Sequence, residues 1–504
     1  MVDQTNNSSS EIKPPWMSVP SSSSKKPAPA KSAAPAPSLA PPTPLANSPL
    51  PPKPQAPPAG KPKSSIVSSP FKKLIPFLGV AILVAIIAFA ARAILTKKDS
   101  EVQDKSSKKE ITLTYWGLWE PKTIMEPILA EYKKEHPEVT INYEFQSSKD
   151  YRERLQSQLA AGSGPDIFRI HDTWIPMFLN QKQLAAVPEG LIDWNDYYPV
   201  IKNTLNVNGE YYAVPLMIDT LALFYNKELF TSAGQSPPKN WKELIETAKK
   251  LTVFSGNTIQ TAGIALGVTN NIDNWSDIYG LMMLQAKGDL ANPIGTKSEE
   301  VLKFYTRFYN VEKVWDTTLS PSTYAFATGK AAMIIAPSWR VFEIQKTNPA
   351  LEFETIPVPQ LSEDPNQKYS WASFWVEGVS ETSPNKKAAW EFLQFLSKPE
   401  TLEKLYTYQS QVRLFGEPYP RKSMAGKLIN EPIVGSFISQ APYAQTWYLC
   451  SRTFDNGIND RTIKYYENMV NSALTGRINE DVLEQAAAGV QQTLSQYQIG
   501  VQTP

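Results

Sequence analysis

Tryptophan and polar side chains recur just after predicted strands of this chain, where they could form a binding site. Trp116 and Trp119 follow the first predicted strand, and His171, Asp172 and Trp174 follow a later one. Aromatic rings pack against apolar C–H faces, and carboxylates form charge-assisted hydrogen bonds with hydroxyl groups. Open α/β sheets bind ligands at the ends of their strands, so these residues can converge. The combination suits a ligand that has both apolar faces and hydroxyls, such as a sugar.

Further tryptophans stand in loop-like or strand-end contexts, namely Trp275, Trp339, Trp371 and Trp375. For any single tryptophan, packing in the core is the commoner role, because burying an indole removes a large apolar area from water. Arg340, Arg413 and Arg421 are candidates for an anionic group of a ligand, although solvated ion pairs are the commoner use of arginine. Residue type alone therefore leaves both roles open.

The composition excludes several classes of protein. The 504 residues include 50 basic and 49 acidic side chains, a net charge of +1, whereas proteins that bind nucleic acid usually carry a basic excess. A single cysteine, Cys450, excludes an internal disulfide and a cysteine metal cluster. Only His136 and His171 are available for a histidine metal site, and no phosphate-binding Gly-Lys-Ser/Thr loop occurs. We therefore expect no cofactor, no nucleic-acid partner and an ATPase, if one is needed, on a separate chain.

Residues 1–70 are rich in proline, alanine, serine and lysine and contain almost no aromatic side chains. Such a segment cannot bury enough apolar surface to offset the entropy lost on ordering. The composition predicts a disordered tail with polyproline-II character. A spacer is the default role, and proline-dependent partner binding is the alternative.

Residues 71–98 contain an apolar run, from 74 to 95, that is long enough to cross a membrane as one helix. Its one charged residue, Arg92, lies near the end, where it can reach the headgroups. The preceding tail is far too long for an ordinary signal peptide, and no cysteine marks a lipoprotein. The lysine excess before the run predicts a cytoplasmic N-terminus. Residues 99–110 then form a linker, and everything beyond it lies outside the cytoplasm.

The rest of the chain, residues 111–504, alternates between strand and helix patterns. Residues 111–115 and 139–145 alternate with period two, whereas 121–136 and 151–159 place apolar residues at helical spacing. Strand–helix–strand order is typical of an α/β sheet covered by helices. Ser383 and Pro384 predict the start of a later helix.

Six segments of this region, in order, resemble family 1 extracellular solute-binding proteins, the group that includes maltose-binding proteins. They are YWGLWEP at 115–121, LAAGSGPDIF at 159–168, YYAVPLMIDTLALFYNKELF at 211–230, NWKELIETAKKLT at 240–252, FATGKAAMIIAPSW at 326–339 and SPNKKAAWEFLQFL at 383–396. The resemblance covers residues 111 to about 491. The tail and the apolar run depart from the usual cleaved or lipid-anchored export signal of that family.

The resemblance implies a periplasmic-binding-protein-like fold of two α/β lobes joined by a hinge, with the ligand held between the lobes. By analogy, one lobe comprises about 111–217 and 355–400, and the other about 218–354 and 401–504. Such proteins close around their ligand. An ABC permease with its ATPase is the implied partner, and a sugar or oligosaccharide is the implied ligand.

The resemblance also singles out residues of the site. The pair His171-Asp172 matches a His-Asp pair of maltose-binding proteins whose carboxylate binds sugar hydroxyls. Asp219 falls on a carboxylate position of that family, and Trp339 aligns with a tryptophan that stacks on sugar. The full set of predicted ligand-binding residues is Asp172, Asp219, Trp339, Trp116, Trp275 and Trp375.

Two other functions fit the same residues. A glycoside hydrolase needs only two well-placed carboxylates, and 49 acidic residues always supply candidates. A sensor that signals through the membrane helix would share every feature of the body, although the tail resembles no output domain. We expect a binding protein without catalytic activity.

Overall fold

The computed structural model describes residues 110–500. The predicted tail at 1–70, the predicted membrane helix at 71–98 and all but the last residue of the predicted linker at 99–110 lie outside the described residues. Among residues 110–500, no helix combines the length and apolar character needed to cross a membrane.

Two sheets organise this part of the chain. Its strands are β1 Ile111–Gly117, β2 Val139–Phe145, β3 Ile167–His171, β4 Asn206–Val207, β5 Glu210–Tyr211, β6 Val214–Pro215, β7 Leu221–Asn226, β8 Val253–Ser255, β9 Thr258–Thr261, β10 Met333–Pro337, β11 Phe353–Pro357, β12 Ser370–Trp371, β13 Trp375–Val379 and β14 Ala444–Gln445. The larger sheet has the order β2-β1-β3-β13-β6, and the smaller one has the order β10-β7-β11.

Helices cover both sheets. They are α1 Lys122–Glu135, α2 Tyr151–Ala160, α3 Ile175–Asn180, α4 Pro199–Leu205, α5 Lys227–Ser232, α6 Trp241–Leu251, α7 Trp275–Gln285, α8 Gly295–Asn310, α9 Ser322–Ala327, α10 Arg340–Thr347, α11 Lys386–Leu396, α12 Pro399–Ser410, α13 Val434–Ile438, α14 Ile458–Leu474 and α15 Glu480–Gln496. Short 3-10 turns occur at 172–174, 194–196, 365–367, 422–427 and 441–443.

The first lobe is built on the five-stranded sheet. β1 pairs in parallel with β2 and β3, as the strand–helix–strand pattern predicts, and β13 returns antiparallel to β3. Leu113 and Tyr115 of β1 are buried, which confirms the period-two alternation. In α1 the buried face contains Ile124, Ile128 and Tyr132, so this helix has the predicted amphipathic spacing.

The second lobe is built on the three-stranded antiparallel sheet. The central strand β7 is fully buried and pairs with β10 on one side and β11 on the other. α6 begins where Asn240 accepts a hydrogen bond from the N–H of Glu243, and it buries Trp241, Leu244 and Ala248. The apolar spacing predicted for this helix is confirmed.

The predicted lobe boundaries need two corrections. We predicted a return to the first lobe at about residue 355; β11 pairs with β7 through Pro357, so the return follows Pro357. We also predicted that the chain returns to the second lobe at about residue 401. α13 does pack against β11 of the second sheet, but the return comes later than predicted. Lys404 of α12 still contacts Glu131 of the first lobe, and Arg421 forms a 3.0 Å ion pair with Asp196 of the same lobe.

Three crossing segments lie side by side between the sheets. The N–H of Ile218 donates to the carbonyl of Pro418 at 3.0 Å, and the N–H of Ser373 donates to the carbonyl of Asp219 at 3.1 Å. Backbone hydrogen bonds thus join the segments near 218, 373 and 418. These hydrogen bonds connect the two lobes at the crossing, although each lobe has its own sheet.

The helix predicted at Ser383-Pro384 begins two residues later, at Lys386. The hydroxyl of Ser383 instead donates to the carboxylate of Asp166, which also accepts the N–H of Thr114 at 2.9 Å. Ser383 therefore links the start of β3 to the turn before α11, where its hydroxyl accepts the N–H of Asn385 at 3.1 Å.

Candidate functional site

A cluster of aromatic rings occupies the strand ends of the first lobe. The Trp375 ring at the start of β13 lies 5.2 Å from the Trp174 ring and 5.7 Å from the Trp119 ring, measured between centroids. Both contacts are edge-to-face, the favoured geometry for aromatic pairs. Trp174 is fully buried, Trp375 is half-buried and Trp119 is 43% exposed. The cluster therefore grades from a buried base to an accessible indole.

Trp116 joins the cluster from its other side. Its ring lies 6.5 Å from the ring of Tyr151, which in turn lies 6.4 Å from that of Trp174. Tyr151 is buried, and its hydroxyl donates to the carbonyl of Arg169 at 2.9 Å. Trp116 is half-buried and packs against this support.

Asp172 and His171 lie below the aromatic cluster, closed off from solvent. The Asp172 carboxylate accepts from the N–H of Phe374 and from the hydroxyl of Thr446, each at 3.3 Å. Burial raises the pKa of Asp172 to about 7 and lowers the pKa of His171 to about 3. His171 is therefore neutral at physiological pH and bonds to the Thr173 and Ser373 hydroxyls at 2.8 and 2.9 Å.

Asp219 fastens the second sheet at the crossing. Its carboxylate accepts from the N–H and the hydroxyl of Ser338, both at 3.0 Å, and from the N–H of Thr220 at 2.8 Å. Burial, with a smaller contribution from the nearby Glu417 charge, raises the pKa of Asp219 to about 8. These bonds hold the end of β10 against the start of β7. Because Ser338 is bonded to Asp219, the position of Trp339, which follows Ser338 in the chain, depends on Asp219.

Trp339 presents a half-buried ring from the second lobe. The guanidinium of Arg340 lies 4.2 Å from its centroid, within cation–π range. Arg340 donates to the side chain of Asn274 at 3.2 Å and lies 3.5 Å from a carboxylate oxygen of Asp273. Within residues 110–500, Trp339 is not among the side chains that form or pack against the buried core.

Trp275 occupies a different environment from the other predicted site residues. It is the first residue of α7, a helix buried on nearly every side, and only 8% of its surface is exposed. Its ring belongs to the hydrophobic core. Packing, the commoner role of tryptophan, accounts for its environment.

One short segment connects the two predicted carboxylates. The N–H of Ser373 donates to the carbonyl of Asp219, and the N–H of the next residue, Phe374, donates to the carboxylate of Asp172. The structure thus places Asp172 and Asp219 on either side of the segment 373–374, and Trp375 is the next residue of that segment. Trp116 and Trp375 meet in the first-lobe cluster, and Trp339 stands beside Asp219 in the second lobe.

Trp119 lies in the aromatic cluster but was not among the predicted ligand-binding residues. The sequence places Trp116 and Trp119 together after β1, yet only Trp116 was predicted to contact ligand. Trp119 has the more accessible ring and a backbone φ of +73°, in the left-handed region that bulky residues rarely adopt. Its position beside Trp116, just after a predicted strand, was the signal available in the sequence; its backbone conformation leaves no trace in residue type.

No metal centre accompanies these residues. Within the part of the chain that the structure describes, no three histidine, cysteine or acidic side chains lie close enough to hold an ion. The aromatic and polar side chains described above can stack on a ligand, form hydrogen bonds with it and exclude water from it.

Comparison with known proteins identifies the family. A family model described as "Bacterial extracellular solute-binding protein" matches residues 128–413. A maltotriose-binding protein from Pyrococcus abyssi is 24% identical over 303 residues, covering 58% of this chain and 63% of the relative. The chain thus spans less than two thirds of that relative's length. A galactooligosaccharide-binding protein from Bacillus subtilis is 25% identical over 374 residues, 70% of this chain and 85% of the relative.

Solved structures show the same fold. A sugar-binding protein from Xanthomonas citri superposes with a TM-score of 0.62 at 22% identity, over 76% of this chain and 98% of that one. A cyclic α-maltosyl-1,6-maltose binding protein from Arthrobacter globiformis gives 0.64 at 19% identity, over 77% and 99%. Both likenesses establish the two-lobed mixed α/β fold. With the family model matching more than half of its length, the chain belongs to the bacterial extracellular solute-binding proteins.

Proposed function

We propose that this protein is the substrate-binding component of an ABC importer and holds a sugar or oligosaccharide between its lobes. The observation that carries the proposal is the set of accessible indoles at the strand ends of both lobes, Trp119 and Trp375 in the first and Trp339 in the second. Indole faces suit the apolar C–H faces of pyranose rings. The names of two relatives, a maltotriose-binding and a galactooligosaccharide-binding protein, point to the same class of ligand.

The two carboxylates differ in how readily they could bind a hydroxyl of the sugar. Asp172 holds Thr446 by a long 3.3 Å bond, which a ligand hydroxyl can replace at little cost. Asp219 is held by several shorter bonds, so its proposed role is mainly to support Trp339. We propose Trp116, Trp119, Trp339, Trp375 and Asp172 as ligand contacts. Trp275 is left out because it packs in the core.

The proposed partners are ABC permease subunits, with the ATPase on a separate chain. The proposed role is binding without turnover of the sugar. A glycoside hydrolase is not favoured, because the relatives named above are sugar-binding proteins.

A membrane anchor completes the proposal. We propose that residues 71–98 cross the cell membrane once, with the N-terminus in the cytoplasm and the body outside. The long apolar run with a single late arginine supports this. Fractionation should recover the full-length chain in membranes. External protease should digest the body in spheroplasts, in which the outer layers are removed and the cell membrane is intact. A mature N-terminus downstream of residue 95 would contradict the anchor.

Binding can be tested by a thermal-shift screen of the full-length chain in detergent, with maltotriose, maltotetraose and galactooligosaccharides as probes. A ligand that binds only the native state raises the melting temperature. Calorimetric titration of each hit should give binding without release of smaller sugars. A sugar that is cleaved would favour the hydrolase, and a panel without any hit would contradict carbohydrate binding.

A further inference from the structure

Trp119 lies at the centre of an unusual turn. The N–H of Glu120 donates to the carbonyl of Leu118 at 2.9 Å, and Trp119 between them has a φ of +73°. A three-residue turn with positive φ at its centre is the strained form of the γ-turn. Strained residues persist only where their surroundings hold them, and they cluster at ligand-binding sites.

One buried arginine holds both neighbours of Trp119. Nη1 of Arg169 donates to the carbonyl of Leu118 at 2.9 Å and also bonds to the carboxylate of Glu120. The hydroxyl of Tyr143 donates to the carbonyl of Glu120 at 2.7 Å. The backbone on each side of the indole is therefore fixed, although the indole itself is exposed.

The same arginine reaches the strand that carries Trp375. Its Nε donates to the carboxylate of Glu377 at 2.6 Å, and Glu377 follows Trp375 by two residues on β13, on the same face of the strand. The Arg169, Glu120 and Glu377 side chains are only 3%, 3% and 1% exposed. Arg169 thus ties together the two segments whose indoles meet edge-to-face.

A buried ion triad is a poor source of net stability, because desolvation of the charges offsets their attraction. Its geometry is its more specific feature. Here three charged groups link two backbone segments, and the Trp119 and Trp375 rings on those segments meet at an interplanar angle of 73°.

We propose that Arg169, acting through Glu120, is a positioning residue that holds Trp119 against Trp375 and so sets the stacking face offered to the sugar. This inference rests on the proposed function for its role in binding. Its structural half, the orientation of Trp119, stands without a ligand.

The structural half is tested on the ligand-free, full-length chain by circular dichroism. Two indoles in contact give an exciton couplet, isolated as the difference between wild type and Trp119→Phe. Glu120→Gln, which keeps the side-chain shape, should remove most of that couplet, and Arg169→Lys, which keeps the charge but loses the fork, should do the same. Asp196→Asn is the control, because it removes a charged partner of Arg421 in the turn 194–196, outside the contacts that link Trp119 to Trp375. A couplet that survives in both Glu120→Gln and Arg169→Lys would overturn the proposal.

The binding half is tested by a double-mutant cycle with maltotriose or another sugar that wild type binds. Trp119→Ala and Glu120→Gln should each weaken binding roughly fivefold or more, as expected for a contact above about 1 kcal/mol. In the Trp119→Ala background, Glu120→Gln should change the affinity less than twofold, since the indole it positions is gone. Equal losses in both backgrounds would indicate general damage and overturn the positioning role. Failure of wild type to bind any sugar would contradict the proposed function while leaving the dichroism result to decide the orientation.

Discussion

His171 and Asp172 form a neighbouring buried pair whose pKa values burial moves in opposite directions. The folded-state pKa of Asp172 is raised from 3.8 to about 7. Its contribution to folding stability is therefore fully present below pH 3.8 and is lost as the pH rises through about 7. The folded-state pKa of His171 is lowered, from 6.5 to about 3, so its contribution is fully present above 6.5 and is lost as the pH falls through about 3. Between about pH 4 and 6.5 the two contributions offset each other.

Asp172→Asn should remove the pH-dependent contribution of Asp172 and leave that of His171. Its unfolding free energy, relative to wild type, should increase between pH 4 and 7 and level off on either side, because only wild type must ionise a buried carboxylate. The hydroxyl of Thr446 can turn to suit the amide, so the fold should tolerate the change. Denaturant unfolding at several pH values measures the difference.

Asp364 provides the control for that titration. A hydrogen bond from the N–H of Asn366 lowers the pKa of this surface carboxylate, so its contribution is present above 3.8 and lost below it. Asp364→Asn should leave the profile between pH 4 and 7 unchanged. If Asp172→Asn gives the same flat profile, Asp172 is not held as a buried acid.

Trp339 and Trp275 should respond oppositely to truncation. Trp339→Ala should weaken sugar binding by about 2 kcal/mol or more and leave stability nearly unchanged, because its ring lies outside the core. Trp275→Ala should cost about 3–5 kcal/mol of folding stability through the cavity it leaves. Calorimetric titration beside denaturant unfolding separates the two effects. A large loss of stability in Trp339→Ala with normal binding would reverse our assignment.

At the scale of elements, periodicity predicted what local sequence controls. The alternation in β1 and the apolar faces of α1 and α6 are set by neighbouring residues, and all three are observed. The lobe boundaries predicted near 355 and 401 came too early, because strand and helix partners are chosen by tertiary packing. The same limit explains Trp275, whose helix is buried on nearly all sides.

The start of α14 depends on one buried carboxylate. Asp455 is fully buried and accepts the N–H groups of Gly457, Asn459 and Asp460 at 2.9, 3.0 and 3.1 Å, and the side-chain amide of Asn459 at 3.0 Å. These bonds satisfy amides that a helix start leaves without partners. The segment 451–457 also contains three non-glycine residues with positive φ, Arg452, Phe454 and Asn456. Asp455 therefore supports both a helix and a strained loop.

Asp455→Ala should destabilise the protein by about 2 kcal/mol or more, because it strands several buried donors. Asn479, the exposed cap of α15, accepts only the N–H of Val482 at 3.2 Å, and Asn479→Ala should cost about 1 kcal/mol. Denaturant unfolding of the two variants gives the comparison. Equal losses of stability in the two variants would mean that Asp455 stabilises only the start of α14 and not the loop 451–457.

At the scale of the whole molecule, the segment 451–457 touches both lobes. Arg452 forms a 2.5 Å ion pair with Asp273 in the second lobe, whereas Asn456 donates to Glu153 of α2 in the first lobe at 2.8 Å. Arg152 of α2 also donates to the carbonyl of Asp455. Separation of the lobes on this flank must break the bonds to α2. These side-chain bonds are few and partly exposed, so breaking them costs little.

Ligand binding should therefore favour a closed arrangement through contacts from both lobes. Small-angle scattering of the full-length chain in a matched-out detergent should show a smaller radius of gyration with saturating maltotriose than without it, because a ligand shifts the population toward the state it binds better. If the free protein is already closed, Arg152→Ala combined with Asn456→Ala should expand it, and the ligand should then restore the wild-type radius. Asp196→Asn, within the first lobe, is the control and should leave the radius unchanged. A radius that responds neither to ligand nor to loss of the contacts with α2 would mean that the lobes do not move, and recognition would then depend on the aromatic surfaces alone.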